Sequence, residues 1–217
     1  EAAKKVAADF IDRRAADRIG IVIFSGESFT QCPLTTDKAV LHRAINGIRN
    51  GLLKDATAIG DGLATSVDRV RNGKSKSKIV ILLTDGVNND GLIGPDNAKE
   101  IAKAFGIKVY TIGVGTEGYA PFTGSGTGAV AVQQHRVSID EKLLTEIANE
   151  TGGKYFRATD NAGLEKIYKE IDQLEKSKVE IASLTRYSEK FFPIVIIAVL
   201  LLLLEVIVRF TVLKKFP

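Results

Sequence analysis

A chain of 217 residues, 45% hydrophobic and 26% charged, has room for one ordinary globular domain with an appendage, which excludes a disordered polypeptide. The formal charge of +4 is spread over interleaved Lys, Arg, Asp and Glu. No basic stripe with interspersed aromatics is present, which argues against a nucleic-acid binder.

The chain opens without methionine, directly on a helical pattern with Val6, Phe10 and Ile11 on one side and Lys4, Lys5, Asp9, Asp12 and Arg13 on the other. A processed or truncated piece of a longer sequence is expected. Residues 18–24 read as a strand and residues 28–34 as an edge strand ended by Pro33. The one cysteine, Cys32, has no intramolecular disulfide partner and reads as a small hydrophobe within that strand. Residues 36–48 and 59–70 carry apolar side chains at helical spacing. Ile79 to Leu83 are continuously apolar, which suits a strand covered on both faces, and the run stops on Thr84, Asp85 and Gly86.

A helix over residues 95–105 follows, with Pro95 at its start and Gly106 just past its end. Residues 108–114 form the next strand. The glycine-rich stretch 115–137 is too long for a plain connection and reads as an inserted hairpin or a surface loop. A helix over 141–150, capped by Asp140 and closed by Gly152, leads to a strand over 154–158 and a helix over 162–176.

Residues 191–213 are apolar on every side from Ile194 to Leu204. About 23 residues at about 1.5 Å each reach about 34 Å, enough to cross a bilayer, so a transmembrane helix is expected here. Glu205 has Arg209 at the favourable i+4 position, and either local pairing near the headgroups or contact with a partner helix accounts for it. The domain plan is then 1–175 for the folded domain, 176–190 for a juxtamembrane linker, 191–213 for the span and 214–217 for a basic tail. The folded domain is expected outside the cytoplasm.

Strands alternating with helices predict an α/β fold, a doubly wound and mostly parallel sheet with helices on both faces. Such folds begin with a strand and this chain begins with a helix, so the first strand is expected upstream of Glu1. Ligands bind beyond the carboxyl ends of strands in open α/β sheets, which places the loops 54–61 and 84–90 together. They offer the Thr57 hydroxyl and the Asp85 carboxylate, hard oxygen donors suited to Mg2+ or Mn2+ rather than to zinc. Each has a structural alternative: Asp85 can satisfy a turn or helix terminus, and Thr57 can cap the helix that starts at Ile59. His42 and His135 lack metal-spaced neighbours and read as surface residues. The GSGTG run at 124–128 lacks a following Lys-Ser/Thr, and the turn at 25–28 lacks a paired His, so neither a phosphate cradle nor a serine nucleophile is expected.

The segments DRIGIVIFSGESFTQCPLT, DATAIGDGLATSVDRV and KIVILLTDGVNND together resemble a von Willebrand factor A (VWA) domain. The tail, from EKLLTEIANETGGKYFRATDNAGLEKIYKEID to the apolar helix and basic end, resembles aerotolerance operon membrane proteins of the BatA type. The resemblance implies a metal-ion-dependent adhesion site (MIDAS), which takes Asp-x-Ser-x-Ser from the loop after the first strand, a Thr from a second loop and an Asp from a third. Thr57 and Asp85 match the second and third; the Asp-x-Ser-x-Ser element would fall shortly before Glu1 and is absent. It further implies a bacterial inner-membrane protein that is not an enzyme and that binds a partner's carboxylate through its metal. The partners it implies are a MoxR-type AAA ATPase or other VWA membrane proteins, in envelope stress tolerance or complex assembly. The rival reading is a hydrolase or transferase acting on a phosphorylated ligand at the same sheet edge, for which no phosphate loop or general base is visible.

Overall fold

The computed structural model describes residues 2–14, 16–73, 75, 77–115, 118–122, 133–137, 139–183 and 191–211. In chain order the elements are α1 (Ala2–Arg13), β1 (Ile19–Phe24), β2 (Ser28–Thr35), α2 (Lys38–Asn46), α3 (Ile59–Arg71), β3 (Ile79–Thr84) and α4 (Pro95–Ala104). They continue with β4 (Lys108–Val114), β5 (Gly118–Phe122), β6 (Gln133–Val137), α5 (Glu141–Glu150), β7 (Tyr155–Ala158), α6 (Asn161–Ser183) and α7 (Phe191–Thr211).

The helix ends follow local chemistry. The Asp140 carboxylate accepts a hydrogen bond from the Leu143 amide at 3.0 Å and starts α5. Asp37 does the same for α2 through the amides of Ala39 and Val40, so that helix begins at Lys38 rather than at the expected residue 36. Pro95 opens α4, and Gly106, at φ +63, turns the chain out of it into β4.

The apolar run ending at Asp85 becomes β3, which pairs in parallel with β4 from Ile79↔Lys108 to Thr84↔Gly113. β4 pairs in parallel with β7, giving the strand order β3-β4-β7. The expected mostly parallel sheet therefore comprises three strands, and β1 and β2 stand as a separate antiparallel pair. The link between β1 and β2 is too short for a crossover and permits only a hairpin. Pro33 lies within β2 instead of ending it, beside a register irregularity opposite Ile19 and Ile21 that accommodates a residue without an amide proton. The segment 115–137 contains the β5–β6 hairpin.

Alternation along β3 and β4 divides the core in two. Val80, Leu82 and Val109 pack with Ile59, Leu63 and Val67 of α3, with Ala98 and Ala102 of α4 and with Leu144 and Ile147 of α5. Tyr110, Ile112, Phe156 and Ala158 face the other way, onto Leu164, Ile167, Tyr168 and Ile171 of α6 and Val6 and Phe10 of α1. Helices thus cover both faces of the parallel sheet, as the sequence pattern predicts. Cys32 is buried in a third cluster with Ile11, Leu41 and Ile45, and burial pushes its thiol pKa up.

Two buried charges tie helices to the scaffold. Lys99 of α4 reaches Glu146 at 2.5 Å and Glu150 at 3.2 Å, both on α5; the hydrogen bond to Glu146 is the main reason its pKa is raised. Glu175 of α6 is 3% exposed and accepts from Lys108 Nζ at 2.5 Å, the Tyr110 hydroxyl at 2.6 Å and Ser77 Oγ at 3.0 Å. Burial works to raise the Glu175 pKa, but the hydrogen bonds from Lys108 and Tyr110, with the Lys108 charge, outweigh it and hold the carboxyl below its ordinary range.

The chain divides into two compact units, Glu1–Lys176 and Ser177–Pro217. The helix expected to end at residue 176 runs on to Ser183. In the second unit α7 is a helix of 21 residues whose large apolar side chains from Ile196 to Val208 are each at least 38% exposed. Among the described residues no helix is long and apolar enough to cross a membrane. The Arg209 and His135 side chains, the 124–128 run and residues 212–213 lie outside the described residues.

Candidate metal centre

β3 delivers the chain to its carboxyl end at Thr84, a buried residue whose Oγ1 accepts from the Gly86 amide at 3.3 Å. The loop beyond it folds back over the first turn of α3. That helix has Ala58 at its N-cap, and no side chain at that position caps it. The Ile59 amide instead donates to Asn88 Oδ1 at 2.7 Å, across from the other loop. Asn89 extends the seam: its Oδ1 accepts from the Thr57 amide at 2.7 Å, and its own amide donates to the Thr57 carbonyl at 3.0 Å.

Asp61, in the first turn of α3, closes the seam from the other side. Its two oxygens accept from the Leu92 amide at 3.0 Å and the Ile93 amide at 2.7 Å. Gly60 lets the loop approach this closely, since a Cβ there would stand 1.9 Å from the Ile93 carbonyl oxygen. The end of β1 joins the same cluster: the Ala58 amide donates to the Ser25 carbonyl at 2.6 Å, and Ser25 Oγ donates to the Ala56 carbonyl at 2.9 Å. Ser25 thus ties the end of β1 to the loop before α3. Lys54 and Asp90 form an ion pair at 2.7 Å, and the Lys54 hydrogen bond, followed by that of the Gly91 amide, lowers the Asp90 pKa.

The two loops offering Thr57 and Asp85 therefore converge, through hydrogen bonds made by Asn88, Asn89 and Asp61. The Thr57 hydroxyl lies 3.1 Å from the position that a Cβ on Gly86 would take, directly beside the residue that follows Asp85. It makes no hydrogen bond among the described residues, so capping of α3 is not its role. Asp85 is exposed, and among the described residues its carboxylate has neither a hydrogen bond nor an ion pair. Neither structural duty open to these two residues is performed. Among the described residues no three His, Cys, Asp or Glu side chains gather as a metal site. His42 sits 2.8 Å from Asp12 instead. A neutral hydroxyl and one carboxylate fit a hard divalent ion that keeps most of its shell for water and other oxygen donors.

Asn88, Asn89 and Asp61 escape a reading for metal ligands because their partners are backbone amides; the asparagine-rich composition of the loop after Asp85 is the signal that points to them.

The chain belongs to the von Willebrand factor type A domain family, whose model matches residues 1–170. An uncharacterized protein of Borreliella burgdorferi is 26% identical over 185 residues, covering 84% of this chain and 54% of that protein. A UPF0353 protein of Nocardia farcinica is 27% identical over 191 residues, covering 80% of this chain and 56% of its own. The chain spans about half the length of the curated relatives it matches. The crystal structure of an aerotolerance-related membrane protein from Bacteroides fragilis superposes with a TM-score of 0.67 at 28% identity, over 79% of this chain and 85% of that one. BatB from Bacteroides thetaiotaomicron gives 0.64 at 29% identity, over 80% and 87%. Proximal thread matrix protein 1 from the mussel byssus, in a structure with a zinc-occupied MIDAS motif, gives 0.62 at 25% identity, over 80% of this chain and 40% of that one. Domains of the BatB type are generally interaction modules, and this family commonly binds a divalent metal at a MIDAS.

Proposed function

We propose that this chain is a membrane-anchored protein-interaction module that grips a partner's carboxylate through a divalent ion held by Thr57 and Asp85. The observation that carries this reading is that the Thr57 hydroxyl lies beside Gly86, the residue after Asp85, at the carboxyl end of β3, and that neither this hydroxyl nor the Asp85 carboxylate has a partner among the described residues. Thr57 and Asp85 would hold Mg2+ or Mn2+, and the ion, when bound, supplies an open coordination position for a carboxylate. The chain's own part is to keep the two oxygens in place through the Asn88, Asn89 and Asp61 seam, with no nucleophile aimed at them.

The anchor is α7, whose apolar side chains are exposed all round, as a lipid-facing helix requires. The chain's likeness to an aerotolerance-related membrane protein supports a membrane location; the bacterial inner membrane, with the folded unit outside the cytoplasm, is the proposed one. A MoxR-type AAA ATPase or another VWA membrane protein is the proposed partner class, in envelope stress tolerance or complex assembly.

Calorimetric titration of the full-length protein with MgCl2 and MnCl2, with ZnCl2 as competitor, tests the site. Binding in the micromolar-to-millimolar range is expected, abolished by Asp85→Ala and weakened by Thr57→Val with the melting temperature unchanged. Binding that survives Asp85→Ala places the metal elsewhere. A Thr57→Val variant that loses only thermal stability returns Thr57 to a structural role.

A further inference from the structure

The parallel strands β3, β4 and β7 all begin at one edge of the sheet, opposite the candidate metal centre. The chain leaves the first unit at that same edge. Glu175, one residue before the unit ends at Lys176, accepts from Ser77 just ahead of β3 and from Lys108 at the start of β4. The tether to α7 therefore starts from the amino edge of the sheet.

This edge is basic. Residues 71–78, RNGKSKSK, hold four cations and no carboxylate. Among the described residues Lys78 meets no carboxylate; its Nζ donates to the Arg71 carbonyl at 2.5 Å. Carboxylates from the neighbouring elements are already engaged: Asp68 by Arg71 at 2.9 Å, Glu170 by Lys154 at 2.6 Å and Glu175 by Lys108. Beside β1 and β2, Arg14 and Arg18 are balanced by Asp17 and Asp37, so the positive excess belongs to the lysines between α3 and β3, joined by Lys176 and Lys178 where the chain departs. Phe105, in the connection from α4 to β4, is 46% exposed, and the Arg71 guanidinium lies 5.4 Å from its ring centroid. An uncovered aromatic ring beside a lysine run suits the boundary between lipid headgroups and acyl chains.

The opposite edge has the other sign. Loops 25–27, 47–58 and 85–94 carry Glu27, Asp55, Asp85 and Asp90 against Arg49 and Lys54. An anionic plane attracts the first edge and not the second, which orients the unit as well as holding it. We propose, resting on the reading of α7 as the anchor, that the amino edge docks on the anionic phospholipid headgroups of the membrane that holds α7, through the lysines of residues 74–78 and Phe105. Docking turns Thr57 and Asp85 away from the lipid and toward a partner.

The test uses the full chain in nanodiscs, with the fluorophore NBD on one introduced cysteine, since Cys32 is buried. Ser75→Cys reports on the amino edge and Leu92→Cys, wholly exposed, on the carboxyl edge. In discs of mixed phosphatidylglycerol and phosphatidylcholine, NBD at Ser75→Cys is expected to shift to the blue while NBD at Leu92→Cys keeps its aqueous emission. High salt or pure phosphatidylcholine removes the shift. Lys74→Gln with Lys76→Gln lowers the ratio of docked to free protein about thirtyfold, two cations at the scale of their attraction to an anionic surface, and Phe105→Ser lowers it independently. Protein that does not co-elute with the discs overturns the anchor reading. Protein that enters the discs without a shift, shifts equally in phosphatidylcholine, shifts at both labels or keeps its shift in the lysine variant overturns the docked edge.

Discussion

Glu175→Ala is expected to lower the free energy of unfolding by about 3 kcal/mol, the scale for removing one partner of a buried ion pair. The carboxylate is 3% exposed and accepts from Lys108, Tyr110 and Ser77, so its removal strands an ammonium and a phenol that have lost much of their water. The cost lies in what is left behind, which predicts a specific pattern in a double-mutant cycle. Lys108→Met alone is also expected to destabilise, and Lys108→Met with Glu175→Leu is expected to recover most of the loss, because both charges leave together. Urea unfolding of the four proteins measures it; strictly additive losses refute it.

The same residue sets an acid limit. Its pKa in the folded protein is depressed, so the unfolded chain binds the proton more readily and stability rises with pH across that interval. The contribution is complete above the ordinary glutamate value of about 4.3 and fades as pH falls through the folded value. Glu175→Ala should therefore flatten the acid side of the stability profile as well as lower it.

Gly60→Ala is expected to destabilise by about 2 to 3 kcal/mol, the range for forcing an extra carbon into a closed space. Helix propensity alone predicts the opposite sign, a gain of about 1 kcal/mol for alanine over glycine inside a helix. Contact decides between them. The new Cβ would meet the Ile93 carbonyl oxygen at 1.9 Å and the Gly94 and Pro95 backbone at 2.8 Å, and backbone cannot rotate aside as a side chain does. The loop after β3 must lift, which breaks the hydrogen bonds from Leu92 and Ile93 to Asp61. Thermal unfolding gives the sign directly, and a stabilised Gly60→Ala protein shows that the loop yields at no cost.

Much of this architecture is legible in the residues, for identifiable reasons. Ile79 to Leu83 announce a strand covered on both faces, and Asp140 and Pro95 mark helix starts by chemistry confined to one turn. What the residues conceal depends on distant partners. The roles of Asn88 and Asn89 lie 29 and 32 positions away, on the amides of Ile59 and Thr57, and no local pattern encodes such a pairing. Pro33 reads as a strand terminator because the register irregularity that shelters it arises only where β2 pairs with β1. The passage of α6 on to Ser183 is hidden because the apolar spacing of Leu164, Ile167, Tyr168, Ile171 and Leu174 stops short of it, although nothing there breaks a helix. At the candidate site, the convergence of Thr57 and the Asp85 loop follows from the rule for α/β sheet edges, and the seam that holds them together does not.

That seam also bears on motion. The amides of Thr57, Ile59, Leu92 and Ile93, from exposed Leu92 to buried Ile59, are each engaged by a side chain from the opposite segment, so none is released unless both segments part. Their deuterium uptake is accordingly expected to be slow and concerted, and Asp61→Ala should accelerate all four amides rather than only the two it binds.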